Sequence, residues 1–190
     1  MSRSPVKAEI KASSAPKEKM ESVSRHLYLM RHGKAQKTKK ADRDILRSLD
    51  KRGRRDVKKI RKLMRDRQLQ PDLVLCSPAV RTMETLMKLQ KVFTQAEIVF
   101  IDALYLADAD AMLRILRRTN PDKHEVLVIG HNPGLQDFLP MVCDLDATGG
   151  DRMTDGFPTS ALACLEVPEN WQNLGNRPAQ LTDMIYSSDL

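Results

Sequence analysis

The sequence predicts one α/β domain, a three-layer sandwich in which a mainly parallel central sheet is covered by helices on both faces. Two observations carry that fold class. Short apolar runs bounded by polar residues, at 27–30, 73–76, 97–101 and 125–129, alternate with longer segments in which apolar residues recur at helical spacing. Alternation of this kind gives right-handed crossovers between parallel strands. The length, 190 residues, suits one such domain with a substantial core and is short for two.

Taken in order, residues 1–24 are rich in Ser, Lys, Ala, Pro and Glu and carry few large apolar side chains. They cannot bury enough surface to offset the entropy of ordering, so they read as a disordered tail ahead of a domain spanning 25–190. A transit peptide is the rival reading, against which stand Glu9, Glu18 and Glu21, since such peptides are poor in acids. After the first strand, residues 34–47 are polar without a sustained period and read as a loop over the strand end. Asp50 opens a helix with Val57, Ile60, Leu63 and Met64 on one face and a basic face that includes Arg54, Arg55, Lys58, Lys59 and Arg61. Much of the net charge of +7 sits there. Two readings of that face stay open, a solvated surface and a docking surface for an acidic protein or polyanion.

Pro71 and Asp72 end that helix before the second strand, and Ser77-Pro78 opens the next one, serine as the cap and proline at the first helical position. This helix carries Val80, Met83, Leu86 and Met87 towards Phe93, the methionines serving as core filler. A third strand follows at 97–101, then a helix at 108–118 presenting Met112, Leu113, Ile115 and Leu116 inward, then the strand at 125–129. Pro133 lies just inside a further helix reaching about Cys143. Residues 144–159 form a long glycine-containing loop that could rim a pocket, and strands at 161–167 and 181–186 complete the chain.

No window has the eighteen or so apolar residues of a membrane helix, and the N-terminus has no apolar stretch of signal-peptide length. The expectation is a soluble, unsecreted, cytoplasmic protein. Cys76, Cys143 and Cys164 are widely spaced and form no Cys-x-x-Cys pair, which speaks for buried free thiols and against a disulfide framework or zinc ribbon. The basic charge invites a nucleic-acid reading, but aromatic residues make up only 4% of the chain, too few to supply stacking beside the basic stretch.

Four basic residues follow predicted strands directly or within about five positions: Arg31 and His32, then Arg81, then His131. The ends of parallel strands are where open α/β sheets bind ligands. Arg31 presents a fork of donors suited to phosphate oxygens, His32 a nitrogen that can be neutral and nucleophilic near pH 7, and Gly33 a backbone that a ligand can approach. Alone, an Arg-His-Gly triplet also fits a turn bearing surface charge. Its repetition in Arg81, near the start of the helix after Ser77-Pro78, and in Gly130-His131-Asn132-Pro133-Gly134 points to one phosphate pocket.

These segments, with Phe157-Pro158-Thr159-Ser160-Ala161, resemble the histidine phosphatase superfamily and within it the SixA-type phosphohistidine phosphatases, over about residues 25–186. The resemblance implies that His32 is a transiently phosphorylated nucleophile and that Arg31, Arg81 and His131 line the phosphate pocket. Two arginines and a second histidine can stabilise a phosphoryl group in flight without a metal, and no cofactor is expected. Neither histidine has a Cys or carboxylate at zinc-ligand spacing.

Larger relatives add a carboxylic acid for the leaving group. Here Glu84 reads as structural, while Asp108 and Asp110 are unmotivated. A missing acid favours an easily leaving substrate, phosphohistidine on a signalling or phosphotransfer protein such as a histidine-phosphotransfer domain. The alternative is a phosphatase of small phosphate monoesters, and a non-catalytic phosphate-binding module is disfavoured because all four pocket residues are present.

Overall fold

A computed structural model describes residues 24–37, 41–145, 156–168 and 170–190. Its elements are β1 (Arg25–Arg31), α1 (Lys51–Asp66), β2 (Leu73–Cys76), α2 (Val80–Leu89), β3 (Glu97–Phe100), α3 (Ala109–Leu116), β4 (Glu125–Gly130), α4 (Gly134–Val142), β5 (Leu162–Val167) and β6 (Gln180–Ile185). The six strands form one sheet in the order β3-β2-β4-β1-β5-β6. The pairings β3-β2, β2-β4 and β4-β1 are parallel, while β5 is antiparallel to both β1 and β6.

Period-two alternation sorts the strand side chains between two cores. Leu27 and Leu29 of β1, Leu73 and Leu75 of β2, and Val126 and Val128 of β4 pack with Met112 and Leu116 of α3 and Phe138 and Leu139 of α4. Tyr28, Met30, Val74, Cys76, Leu127 and Ile129 face the other way, onto Val57, Ile60 and Met64 of α1 and Leu86 and Leu89 of α2. The three layers are therefore α3/α4, sheet and α1/α2. All three cysteines are buried and free, and burial pushes each thiol up to about 12.

Several sequence expectations are corrected in detail. Asp50 does cap α1, accepting from the Gly53 amide at 2.6 Å. Ser77 does not cap α2: the cap position falls to Ala79, without a side-chain bond, and Pro78 precedes the helix. Thr82 Oγ1 donates instead to the carbonyls of Ala79 and Ser77, at 2.6 and 2.7 Å, which tightens the turn in the absence of a capping hydroxyl. Met87 is no core filler, being 62% exposed; Thr82, Thr85 and Leu86 take the inward positions. Pro133 stands at the cap of α4 rather than inside it.

The segment read as an irregular loop contains a short 3₁₀ helix, Ala41–Leu46. Most of the glycine-containing loop, residues 146–155, and residues 1–23 of the expected tail lie outside the described residues. No helix among the described residues is long and apolar enough to cross a membrane.

Candidate active site

Because β1, β2 and β4 are parallel and in register, their last residues come level along one sheet edge: Arg31 pairs with Gly130, and Cys76 with Ile129. The ladder continues one step further, the His32 amide donating to the Gly130 carbonyl (3.2 Å) and the Ser77 amide to that of Ile129 (3.1 Å). The chain thus leaves three adjacent strands at His32, Ser77 and His131. The antiparallel β5 enters from this same edge, and the Ser160 amide donates to the carbonyls of Arg31 and His32 at 3.2 and 3.1 Å. Ser160 has φ +65, a left-handed conformation uncommon for a serine and of the sort kept at sites where the surrounding structure imposes it.

The four sequence-predicted residues Arg31, His32, Arg81 and His131 line one cavity of about 400 Å³. Three of them meet directly: the imidazoles of His32 and His131 lie 5.1 Å apart between centroids, and Arg81 Nε is 3.2 Å from His32 Nε2, while Arg31 Nη1 donates to the Phe157 carbonyl at 2.8 Å. Gly33 is not brought to the cavity wall. Its amide donates to Thr85 Oγ1 (3.0 Å), and a Cβ at Gly33 would lie 2.8 Å from Val57 Cγ2, so its missing side chain serves the packing of α1 rather than ligand approach.

The hydrogen bonds fix the tautomer of His32. Nδ1 lies 2.7 Å from the Gly33 carbonyl oxygen, which can only accept, and Nε2 faces a guanidinium N–H, which can only donate. The ring proton therefore sits on Nδ1 and a lone pair on Nε2. Burial lowers the pKa of His32 to about 4, with Arg81, Arg31 and Arg47 adding repulsion against the Gly33 bond. His131 is lowered to about 3, first by burial and then by His32 and Arg81. Its Nε2 lies 2.7 Å from Ser77 Oγ, while its Nδ1 has no partner among the described residues. Arg31 Nε and Ser160 Oγ are likewise buried and unpartnered among the described residues. Buried polar atoms seldom go unpaired, and two of these, Arg31 Nε and His131 Nδ1, belong to residues that line the cavity, where a bound ligand would be their partner.

Sequence reasoning missed the most connected carboxylate of the site. Asp44, on the 3₁₀ helix, accepts from Arg81 Nη2 (3.0 Å), Arg47 Nη1 (2.8 Å) and the Tyr105 hydroxyl (2.9 Å), and its backbone carbonyl accepts from Arg81 Nη1 (2.7 Å). The Arg47 bond and the Tyr105 hydroxyl, with Arg81, hold the Asp44 carboxyl down at about 2 against partial burial. Tyr105 also sets its ring edge-on to His131 at 5.6 Å and under Arg81 at 5.8 Å. The Asp44-x-x-Arg47 spacing was the one readable sign, since positions three apart meet on a helical turn. Glu84 is occupied elsewhere, accepting the Leu49 amide at 2.7 Å, and Asp108 caps α3 through the Ala111 amide. Among the described residues the cavity wall holds five cations (Arg31, Lys34, Lys37, Arg47 and Arg81) against the single carboxylate of Asp44. No group of three or more His, Cys, Asp or Glu side chains among the described residues is placed to hold a metal ion.

The histidine phosphatase superfamily (branch 1) profile matches residues 27–105. A candidate phosphohistidine phosphatase SixA of Agrobacterium tumefaciens is 30% identical, with a TM-score of 0.73 over 85% of this chain and 97% of that one. A second such protein, from Nakamurella multipartitia, is 26% identical with a TM-score of 0.73 over 86% and 96% of the two chains. An uncharacterized chloroplastic protein of Arabidopsis thaliana is 31% identical over 131 residues, 64% of this chain and 60% of that protein. An uncharacterized protein of Mycobacterium tuberculosis is 31% identical over 106 residues, 54% of this chain and 65% of its own length, so the chain spans under two thirds of these curated relatives. The chain belongs to the histidine phosphatase superfamily and is of the SixA type within it.

Proposed function

We propose that this protein is a phosphatase that passes a phosphoryl group through His32 and acts on phosphohistidine carried by other proteins. The observation that carries the reading is the pair of opposed bonds on the His32 ring, Nδ1 to the Gly33 carbonyl and Nε2 to Arg81, which leave a neutral nitrogen lone pair inside a cationic pocket. In the first step this lone pair attacks phosphorus in line, an Nε2–P bond forms, and the bond from phosphorus to the substrate nitrogen breaks with its electron pair leaving on that nitrogen. The positive charge acquired by the His32 ring is relieved through Nδ1–H donating to Gly33. Arg31 and Arg81 stabilise the non-bridging oxygens, and His131, its Nε2 receiving the Ser77 hydroxyl, turns Nδ1–H towards them. In the second step water attacks phosphorus, the Nε2–P bond breaks, the pair returns to Nε2, and a water proton leaves with phosphate or solvent.

The leaving group decides the substrate class. Asp44, the single carboxylate among the described residues of the cavity wall, is ionised and held by three donors, so it has no proton to give near neutrality. An alkoxide leaving group would need one. A phosphorylated imidazole does not: its second nitrogen takes a proton from water, and neutral imidazole departs. Two exposed leucines support a protein rather than a metabolite as the carrier of that imidazole: Leu106, 55% exposed, lines the cavity, and Leu46, 63% exposed, lies on the 3₁₀ helix that bears Asp44.

The test compares turnover of a histidine-phosphorylated phosphotransfer domain with that of p-nitrophenyl phosphate, for the parent and His32→Ala. The parent is expected to prefer the phosphoprotein and to yield acid-labile phosphate on His32 after a rapid quench, and the variant to be inactive with an unchanged circular dichroism spectrum. Far better hydrolysis of the monoester would replace this reading with that of a small-molecule phosphatase. Turnover retained in His32→Ala would remove the covalent step.

A further inference from the structure

We infer that the cleft between α1 and α2 is the docking groove for an acidic helix of the protein that brings the phosphohistidine, an inference resting on the function proposed above. The positive charge of α1 divides into two populations. Arg52 and Arg55 meet Asp56, Lys62 and Arg65 meet Asp66, and Lys59 Nζ donates to the Ser187 carbonyl at 3.0 Å. These cations are locally answered. Lys58 and Arg61 are not: they have no ion-pair partner among the described residues, and neither have Lys88 and Lys91 across the cleft. The four converge, with Arg54, on a cleft of about 360 Å³ whose one carboxylate, Glu84, is engaged by the Leu49 amide.

Spacing and position make the cleft a groove for a helix. Arg54, Lys58 and Arg61 stand at i, i+4 and i+7 on α1, and Glu84, Lys88 and Lys91 repeat that spacing along α2 and just beyond it. Two such stripes run for about 10 Å, two turns of a partner helix, at 1.5 Å rise per residue. Met87, 62% exposed, supplies an adaptable apolar contact in the wall. Both helices begin at the sheet edge where the active site lies. A Cβ on Gly53 in the first turn of α1 would fall 2.2 Å from the Lys34 carbonyl oxygen, so that turn is pressed against the site loop, and Arg81 is in the first turn of α2. A protein whose phosphohistidine enters the pocket therefore has the groove within a turn or two of its own backbone. The occupant that this chemistry fits is a helix bearing Glu or Asp on one face, and the groove's lack of aromatic side chains speaks against single-stranded nucleic acid.

The experiment measures binding and turnover separately. A histidine-phosphotransfer domain with an acidic helical face is titrated, unphosphorylated, into the parent and into a variant carrying Lys58→Glu, Arg61→Glu, Lys88→Glu and Lys91→Glu. A control variant carries the same number of reversals at Arg52, Arg55, Lys62 and Arg65. The phosphorylated domain and p-nitrophenyl phosphate are then used as substrates at low and high salt. The groove variant is expected to bind at least about tenfold more weakly and to lose about as much kcat/KM on the phosphorylated domain at low salt, to match the parent on p-nitrophenyl phosphate, and to converge with the parent as salt screens the charges. The control is expected to stay close to the parent.

Equal losses in the control would reduce the effect to overall charge and overturn the groove. So would unchanged binding in the groove variant, and so would a single-stranded RNA 20-mer that binds the groove while the acidic domain does not. If the domain binds as expected but its phosphohistidine is not hydrolysed by the parent, the groove stands and the proposed reaction falls.

Discussion

Lowering the pH from 7.5 to 5 should destabilise this protein through two side chains in particular. His32 and His131 are 8% and 4% exposed, and burial lowers their pKa values to about 4 and about 3 from the ordinary 6.5. A folded-state pKa below the unfolded one means that the unfolded chain takes up the proton first as pH falls. The stabilising contribution is thus complete above pH 6.5 and is lost progressively below it. At pH 5 the unfolded imidazoles are almost fully protonated and the folded ones almost wholly neutral, which by proton linkage corresponds to roughly 2 kcal/mol for each ring. Together the pair accounts for about 4 kcal/mol, a large part of the 5–15 kcal/mol typical of a domain and of the order of 10 °C in Tm for a chain of this size. Asp44 does not enter this window, since its carboxyl at about 2 exchanges protons differently from the unfolded chain only below about pH 5.

The assay is urea unfolding at pH 7.5 and pH 5 for the parent, His32→Gln and His131→Gln. Each glutamine variant starts from its own stability, and the quantity read is the change with pH, in which titrating groups other than the two coupled imidazoles cancel between parent and variant. Each substitution should shrink that change by about 2 kcal/mol. A parent equally stable at both pH values would refute the claim that these rings are buried neutral, and variants with the full pH dependence of the parent would assign it to other groups.

Three further substitutions probe the site's construction. Asp44→Asn removes a negative charge from the cavity wall while keeping an acceptor for Arg81, so inorganic phosphate should inhibit about fivefold more tightly, the equivalent of roughly 1 kcal/mol of relieved repulsion; weaker inhibition would mean that the carboxylate's hold on Arg81 outweighs its charge. Ser77→Ala strips the hydroxyl from His131 Nε2 and should lower kcat about tenfold or more with an unchanged Tm, as for a misplaced oxyanion donor; unchanged kcat would release Ser77 from any role in orienting the ring. Gly33→Ala forces a methyl to within 3.1 Å of Val57, Gly53 and Leu49 and should cost about 1–3 kcal/mol in thermal or urea unfolding; full stability there would show that α1 can yield.

What could be read from the sequence was local. Each parallel strand holds an apolar run of three or four residues, Arg31 ends β1, and His32 and His131 directly follow β1 and β4, so the sheet edge carries Arg31, His32 and His131 by chain connectivity alone. Arg81 could be placed because Ser77-Pro78 marks a turn into a helix even though the cap falls two residues later. The residues that escaped detection owe their place to contacts across the chain. Asp44 meets Arg81 over 37 positions and Tyr105 over 61, and Ser77 meets His131 over 54. No propensity or period encodes such distances. Met87 was misread for a related reason: its helical position fits an inward stripe, but Thr82 and Thr85 take that stripe, Thr85 to hold the Gly33 amide and Thr82 to hold the turn after β2.

Charge organises both the pocket and the surface around it, and the same cations serve two purposes. Burial first, and then Arg81, Arg31 and Arg47, keep the proton off Nε2 of His32, and Arg81 in turn lowers the pKa of Arg31 beyond what burial does. Each of these repulsions is relieved when an anion takes its place among them. A dianionic phosphoryl group would offset the guanidinium charge, so the favourable energy of its binding would include relief of the repulsion among these cations. In the proposed reaction it would also restore basicity to Nε2 as that nitrogen forms a bond to phosphorus. A neutral ligand of the same shape would gain neither effect. Under the proposed function the pocket would select for charge before any contact specific to the rest of the substrate is made, and discrimination among phosphorylated partners would fall to the rim leucines and to surfaces farther out, where Lys58, Arg61, Lys88 and Lys91 stand.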